Sequence, residues 1–197
     1  MWSKGLKMNK DDIVRDTIIQ AAVRVFQRWG LKKTTMEDIA KEAGKGKSTL
    51  YYYFKSKEEI FDTIVIIEFG TVLEKARKAA DEVSSSREKL IMYIVTSINE
   101  MKDKISAYTI IKEEIKRDQN FIEKIRIFFD SKEKHFIKGI LKLGIDNKEF
   151  TFFKENELNT AVKTIMGIIH ALELYLLLEN DDTKQIDIAA RLIANGI

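Results

Sequence analysis

The chain has 197 residues, of which 45% are hydrophobic, with 34 Lys and Arg against 31 Asp and Glu. It contains neither cysteine nor proline, which excludes a disulfide framework and thiolate chemistry and points to helices joined by short turns. The length allows two modest helical domains with real cores, and with no signal peptide and no apolar run near 18 residues the expected location is cytoplasmic, away from any membrane.

The near-neutral total hides an asymmetry. Residues 1–57 hold 13 Lys and Arg against 6 Asp and Glu, while residues 58–197 hold 21 against 25. A basic head on an acidic body is steered toward a polyanion, and the body is kept clear of it.

In chain order, the first ten residues, MWSKGLKMNK, read as a mobile basic arm. Val14, Ile18, Ala21, Ala22, Val25 and Trp29 then recur at helical spacing, which predicts an amphipathic helix from about Asp11 to Trp29, ended by Gly30. The stretch Thr35–Lys57, TMEDIAKEAGKGKSTLYYYFKSK, reads as two short helices around a glycine-rich turn. Thr35 and Asp38 form a capping-box pattern, and Met36, Ile39, Ala40 and Ala43 share one apolar face. Gly44 suits the left-handed residue that ends a helix, and Gly46 offers a second permissive position.

The following helix sorts into two faces. Lys47, Ser48, Tyr51, Tyr52 and Lys55 fall within one arc of about 140°, while Leu50 and Phe54 point away from it toward Ile39 and Ala40. Exposed aromatics beside cations suit contact with phosphates and bases. The alternative is a solvated charged face with half-buried tyrosines. Gly44-Lys45-Gly46-Lys47-Ser48 also looks like the end of a phosphate-binding loop. That pattern requires a glycine at position 41, where Lys41 stands, and a strand before it where a helix is predicted.

Beyond the head, a long helix is predicted from Lys57 to about Ala80, carrying Ile60, Phe61, Ile64, Val65 and Leu73. Ser84, Ser85 and Ser86 interrupt it, and Ser85 with Glu88 forms a second capping box before the stripe Leu90, Ile94, Ile98 and Met101. Further helices are predicted at about Ala107–Lys116, Asn120–Leu143 and Glu155–Leu178. Asp182 and Gln185 cap a last one with the stripe Ile186, Ala189, Ala190, Ile193 and Ile197. The helix Glu155–Leu178 is apolar on two sides, one through Leu158, Val162, Ile165, Ile169, Leu172 and Leu176, the other through Gly167, Ala171, Leu174 and Leu178. One side suits its own core and the other a second subunit, the alternative being a helix central to a monomer.

Residues Ile18–Phe61 closely resemble the N-terminal domain of the tetracycline-repressor (TetR) family: the AA...F...G block of the first helix, TT...IA..AG, and TLY.YF.SKEE stand in register. The sequence departs from that pattern in the turn, where Lys45 replaces a small apolar residue and Gly46 and Ser48 have exchanged places. The resemblance implies an all-α fold: a helix-turn-helix DNA-binding domain with a basic arm over residues 1–57, and a helical ligand-binding and dimerisation domain over 58–197. It further implies a homodimer joined through the last two helices, for which Gly167, Ala171, Leu174, Leu178, Ala189 and Ile193 are the interface candidates. Lys45, Lys47 and Ser48 are expected near base edges and Tyr51 and Tyr52 on bases and backbone. By resemblance, Thr35, Tyr53 and Lys57 bind phosphate.

The family's small-molecule pocket lies in the body, and its candidate lining here is Tyr93, Tyr108, Phe128, Phe129, Met166, His170 and Glu173. His170 and Glu173, three residues apart, could share a ligand or form a hydrogen-bonded core pair, and His135 sits in a charged run. No motif calls for a cofactor or a metal, and no nucleophile has a base at a recognisable spacing, so an enzyme is not expected. The resulting expectation is a ligand-responsive dimeric transcriptional regulator, a repressor by the family's habit. Its partners are a palindromic DNA operator and an unknown small-molecule effector that tilts the long helix and changes the spacing of the heads. A protein-binding adaptor with the same fold is the alternative.

Overall fold

A computed structural model describes residues 9–107, 119–178 and 183–196, except the side chains of 106, 107, 119–126, 173, 174, 176–178 and 183. The regular structure of these residues is helical throughout. In chain order it comprises α1 (Lys10–Lys33), α2 (Met36–Glu42), α3 (Lys47–Tyr53), α4 (Lys57–Asp81), α5 (Ser86–Ala107), α6 (Gln119–Asp146), a 3-10 turn (Glu155–Glu157), α7 (Leu158–Leu178) and α8 (Thr183–Asn195). The all-α fold class, with a three-helix helix-turn-helix followed by a larger helical region, is as expected. Residues 1–8 of the basic arm, residues 108–116 of a predicted helix, Asp182 and Ile197 lie outside the described residues.

Two compact units form. The first runs through Ile67, and the second takes up the chain from Glu68, so α4 contributes residues to both. In the first unit, α1 opens on a capping box that the sequence reading did not single out. Asp12 N–H donates to Asn9 Oδ1 at 2.8 Å, and Asn9 N–H donates to Asp12 Oδ2 at 3.3 Å. Gly30 breaks the helix with φ 75° and ψ 164°, a conformation that L side chains rarely adopt, and a last turn continues to Lys33. Ile18, Ala21, Ala22, Val25 and Phe26 of α1 are buried, as are Ile39 and Ala40 of α2 and Leu50 of α3. Phe26 meets Phe61 of α4 edge to face at 5.9 Å, which ties the first turns of α4 to α1. Trp29 departs from the expected stripe. It is 45% exposed, and the Arg28 guanidinium lies 5.6 Å over its ring.

In the second unit α5 packs against α6, α7 and α8, and α6 packs against α7. Leu90, Ile94, Ile98 and Met101 are buried as the spacing predicts, and so are Leu158, Val162, Ile165 and Ile169 of α7. Buried Ala194 takes a place in the α8 stripe beside Ile186 and Ala190, while Ala189 and Ile193 are only half-buried. Ser85 Oγ accepts from Glu88 N–H at 3.4 Å, but the carboxylate at this helix start is Glu149. It accepts from Ser85 Oγ (2.7 Å), Ser86 N–H and Arg87 N–H (both 3.1 Å). Despite opposing desolvation, these donors lower its pKa from 4.5 to about 2. Arg87 completes the knot by donating to the carbonyls of Glu149 and Ala194, each at 2.5 Å. The Phe150 ring occupies the space a β-carbon on Gly144 would need. No helix of the described residues is long and apolar enough to cross a membrane.

Candidate nucleic-acid interface and buried polar cluster

The start of α2 and the turn that follows it are built from local hydrogen bonds. Thr35 Oγ1 accepts from Asp38 N–H at 3.2 Å, and Asp38 Oδ2 accepts from Thr35 N–H at 2.9 Å and from its hydroxyl at 2.7 Å. The Thr35 hydroxyl and N–H hold the Asp38 carboxyl below its ordinary pKa. After α2 the chain turns at Gly44, with φ 62°, and Lys45 N–H donates to Ala40 O at 3.0 Å. Gly46 has an ordinary φ of −69° and serves as the N-cap of α3, so the permissive backbone expected there is not used.

The α3 helix divides as its sequence suggests. Leu50 and Phe54 are 0% and 1% exposed, whereas Tyr51 and Tyr52 are 46% and 78% exposed. Thr35, Lys45, Lys47, Ser48 and Lys55 are exposed as well. Lys47 is ion-paired with Glu37 of α2, and its ammonium lies 5.9 Å from the Tyr51 ring centre. The pair lowers the Glu37 pKa, and bonding to Glu37 raises that of Lys47. Tyr53 and Lys57, the other phosphate candidates, are engaged within the unit. The half-buried Tyr53 donates its hydroxyl to Asp11 Oδ1 at 2.8 Å, a bond that raises its pKa. Lys57 Nζ donates to the carbonyls of Thr34 (2.8 Å) and Lys32 (3.2 Å), closing the end of α1. Glu37 was not foreseen, because an ion pair across a turn leaves no helical spacing in the sequence.

In the second unit Tyr93, Phe129 and Met166 are buried. The Tyr93 hydroxyl donates to Glu133 Oε1 at 2.7 Å, and His170 Nε2 lies 3.8 Å from Glu133 Oε2. The observed acid near His170 is therefore Glu133 of α6, which is 6% exposed. The Glu173 side chain and all of Tyr108 lie outside the described residues. Phe136 stands 5.2 Å from the Tyr93 ring and takes the Arg77 guanidinium at 5.4 Å. Phe128 is 56% exposed, unlike the buried members of this set, and His135 is exposed. Glu133 did carry a signal in the sequence: it falls four residues after Phe129 and four before Ile137, a charge inside an apolar stripe. Among the described residues no group of three metal-ligating side chains gathers.

Of the dimer candidates, Gly167 and Ala171 are exposed, and the side chains of Leu174 and Leu178 are not described. The same two helices expose Ile168, Tyr175, Ile188 and Leu192, at 45%, 51%, 57% and 70%. The α8 pair Ile188 and Leu192 was missed by following only the Ile186 stripe.

Comparison with known proteins completes the picture. Residues 18–64 match the family model described as bacterial regulatory proteins, tetR family. An uncharacterized HTH-type transcriptional regulator of Bacillus subtilis, YhgD, is 46% identical over 65 residues, covering 33% of this chain and 32% of that protein. The HTH-type transcriptional repressor KstR2 of Mycolicibacterium smegmatis is 31% identical over 103 residues, 52% of this chain and 50% of the relative. The alignments thus span only a third to a half of these two curated relatives. Among solved structures, the fatty acid degradation regulator FadR from Bacillus halodurans superposes with a TM-score of 0.68 at 22% identity, over 98% of both chains. FadR from Bacillus subtilis in complex with stearoyl-CoA gives 0.66 at 23% identity, over 92% of this chain and 98% of that one. At these identities the likeness establishes the fold.

Proposed function

We propose that this chain, whose N-terminal domain belongs to the tetR family of bacterial regulatory proteins, is a dimeric, effector-responsive repressor of transcription that binds a palindromic operator. The observation that carries the reading is the face of α3. Two tyrosines, Ser48 and Lys47 stand exposed on it, while Leu50 and Phe54 seal its other side into the unit. Such a helix can enter a major groove without loss of its own packing. Lys45, Lys47 and Ser48 read base edges, Tyr51 and Tyr52 touch bases and backbone, and Thr35 with the start of α4 takes phosphate. Two-fold symmetry then sets half-sites about 34–36 Å apart.

Dimerisation uses the outer faces of α7 and α8. Gly167 and Ala171 leave room for close approach, and Ile168, Ile188 and Leu192 supply apolar area. The effector site is the region around Tyr93, Met166 and His170, and its occupancy acts through α4, which supplies residues to both units. Stearoyl-CoA, the ligand of one structure with this fold, is the first compound to test.

The test is selection of binding sites from a random duplex library by the purified protein at near-physiological salt. An enriched palindrome is the expected result. Uniform, salt-sensitive binding without enrichment would overturn the reading in favour of regulation through a partner protein.

A further inference from the structure

We infer that Glu37 is a selectivity residue of the recognition helix: by holding Lys47 in an ion pair, it keeps that lysine from clamping phosphate on arbitrary DNA while leaving it able to read bases. The inference rests on the DNA-binding function proposed above.

The pair joins the second residue of α2 to the first of α3, and both side chains are open to solvent, at 56% for Glu37 and 57% for Lys47. The fold has little need of it. Exposed ion pairs add little stability, α2 is already capped by Thr35 and Asp38, and α3 is anchored by Leu50 and Phe54. The carboxylate nevertheless sits on a lysine of the helix expected to meet a polyanion. For nonspecific binding this arrangement is unfavourable: to clamp a phosphate, Lys47 must leave Glu37 or bring its charge against the DNA backbone.

Base edges pose no such conflict. An ammonium has three N–H donors, and the bond to Glu37 uses one, so two remain for the N7 and O6 acceptors of a guanine. These acceptors are uncharged and do not repel the carboxylate as a phosphate does. The Tyr51 ring centre lies 5.9 Å from the ammonium, within range to attract the lysine in its paired position. The pair thus penalises backbone contact more than base contact, which is what a preference for one sequence requires.

The experiment measures binding of wild type, Glu37→Gln, Lys47→Met and the double variant across a range of salt. The probes are a mixed-sequence duplex and the duplex enriched by the selection described above, and thermal melting of each variant is expected to stay near wild type. Glu37→Gln should tighten binding to the mixed duplex about fivefold near 0.15 M salt and steepen the logarithmic salt slope by about 0.9, the signature of one more phosphate contact. The gain on the enriched duplex should be smaller, so the ratio of the two affinities falls. In the Glu37→Gln background, Lys47→Met should abolish the gain, and a gain that survives in the double variant overturns the inference. An unchanged slope in Glu37→Gln, or an equal gain on both duplexes, overturns the inference while DNA binding itself stands. Wild-type protein that binds neither duplex overturns the DNA-binding function and this inference with it.

Discussion

In the first unit the polar side chains proposed to meet DNA, Lys45, Lys47, Ser48 and Tyr52, stand in solvent, while Ile18, Ile39 and Leu50 are buried. In the second unit the polar cluster lies inside: Tyr93 and Glu133 are buried together, with His170 half-buried at their side. The contrast separates two ways of holding a functional group. An exposed polar group costs the fold little and is available to whatever approaches. A buried one must already be satisfied, so a ligand entering there has to replace a partner that the fold supplies.

Substitutions can break or sharpen this contrast. The largest effect is expected from Phe54→Ala, which empties the 1% exposed site beneath α3 and should cost about 3–5 kcal/mol. Hydrogen exchange should show the loss in the amides of α1 to α3 well before those of α6 and α7. Next is Glu149→Gln. With its folded pKa near 2 against 4.5, the carboxylate stabilises the protein above pH 4.5, and that contribution is lost as pH falls toward 2. The variant should lose about 2 kcal/mol at neutral pH and show a flatter acid limb in denaturation between pH 4.5 and 2.

Tyr93→Phe should cost about 1–2 kcal/mol by removing the donor to a buried carboxylate, and denaturant midpoints would measure it. Were the loss negligible, Glu133 would have to be satisfied by other partners. Smallest in stability is Lys45→Ala, within about 0.5 kcal/mol at an exposed site, yet as a base-edge contact it should cost about 1–3 kcal/mol of binding to the enriched duplex and relax the preference at particular positions. A surface change that leaves melting alone and moves DNA affinity is the converse of Tyr93→Phe.

How much could be read from the sequence follows from the range of the interactions. The Thr35–Asp38 box, the end of α2 at Gly44, the stop at Gly30 and the apolar side of α3 are set within a few residues, and all were visible as patterns. Glu37 and Glu149 left no pattern, and Glu133 showed only as a charge inside an apolar stripe, with no sign of its partner. Their partners Lys47, Ser85 and Tyr93 lie 10, 64 and 40 positions away, and nothing in a local pattern selects which carboxylate a distant donor will meet. Trp29 differs in another way: it fits the apolar period of α1 yet is 45% exposed, because a period marks one side of a helix and does not say how far along that side the core extends. In α8 a single stripe was followed where the helix carries apolar residues on two faces, so Ile188 and Leu192 went unread.

The Arg87 knot also sets an order of events. Its guanidinium joins residues 107 positions apart, whereas the Asp11–Tyr53 bond of the first unit closes over 42. During synthesis at roughly 5–20 residues per second, α1 to α3 of the first unit and its closing bond are available while much of the second is still unmade. The second unit cannot complete its knot until Ala194 has left the ribosome, and until then the side of α5 that α8 covers stays open to other chains. The vulnerable stretch of synthesis is therefore the one between completion of the first unit's bond and closure of the knot, and it falls on the second unit.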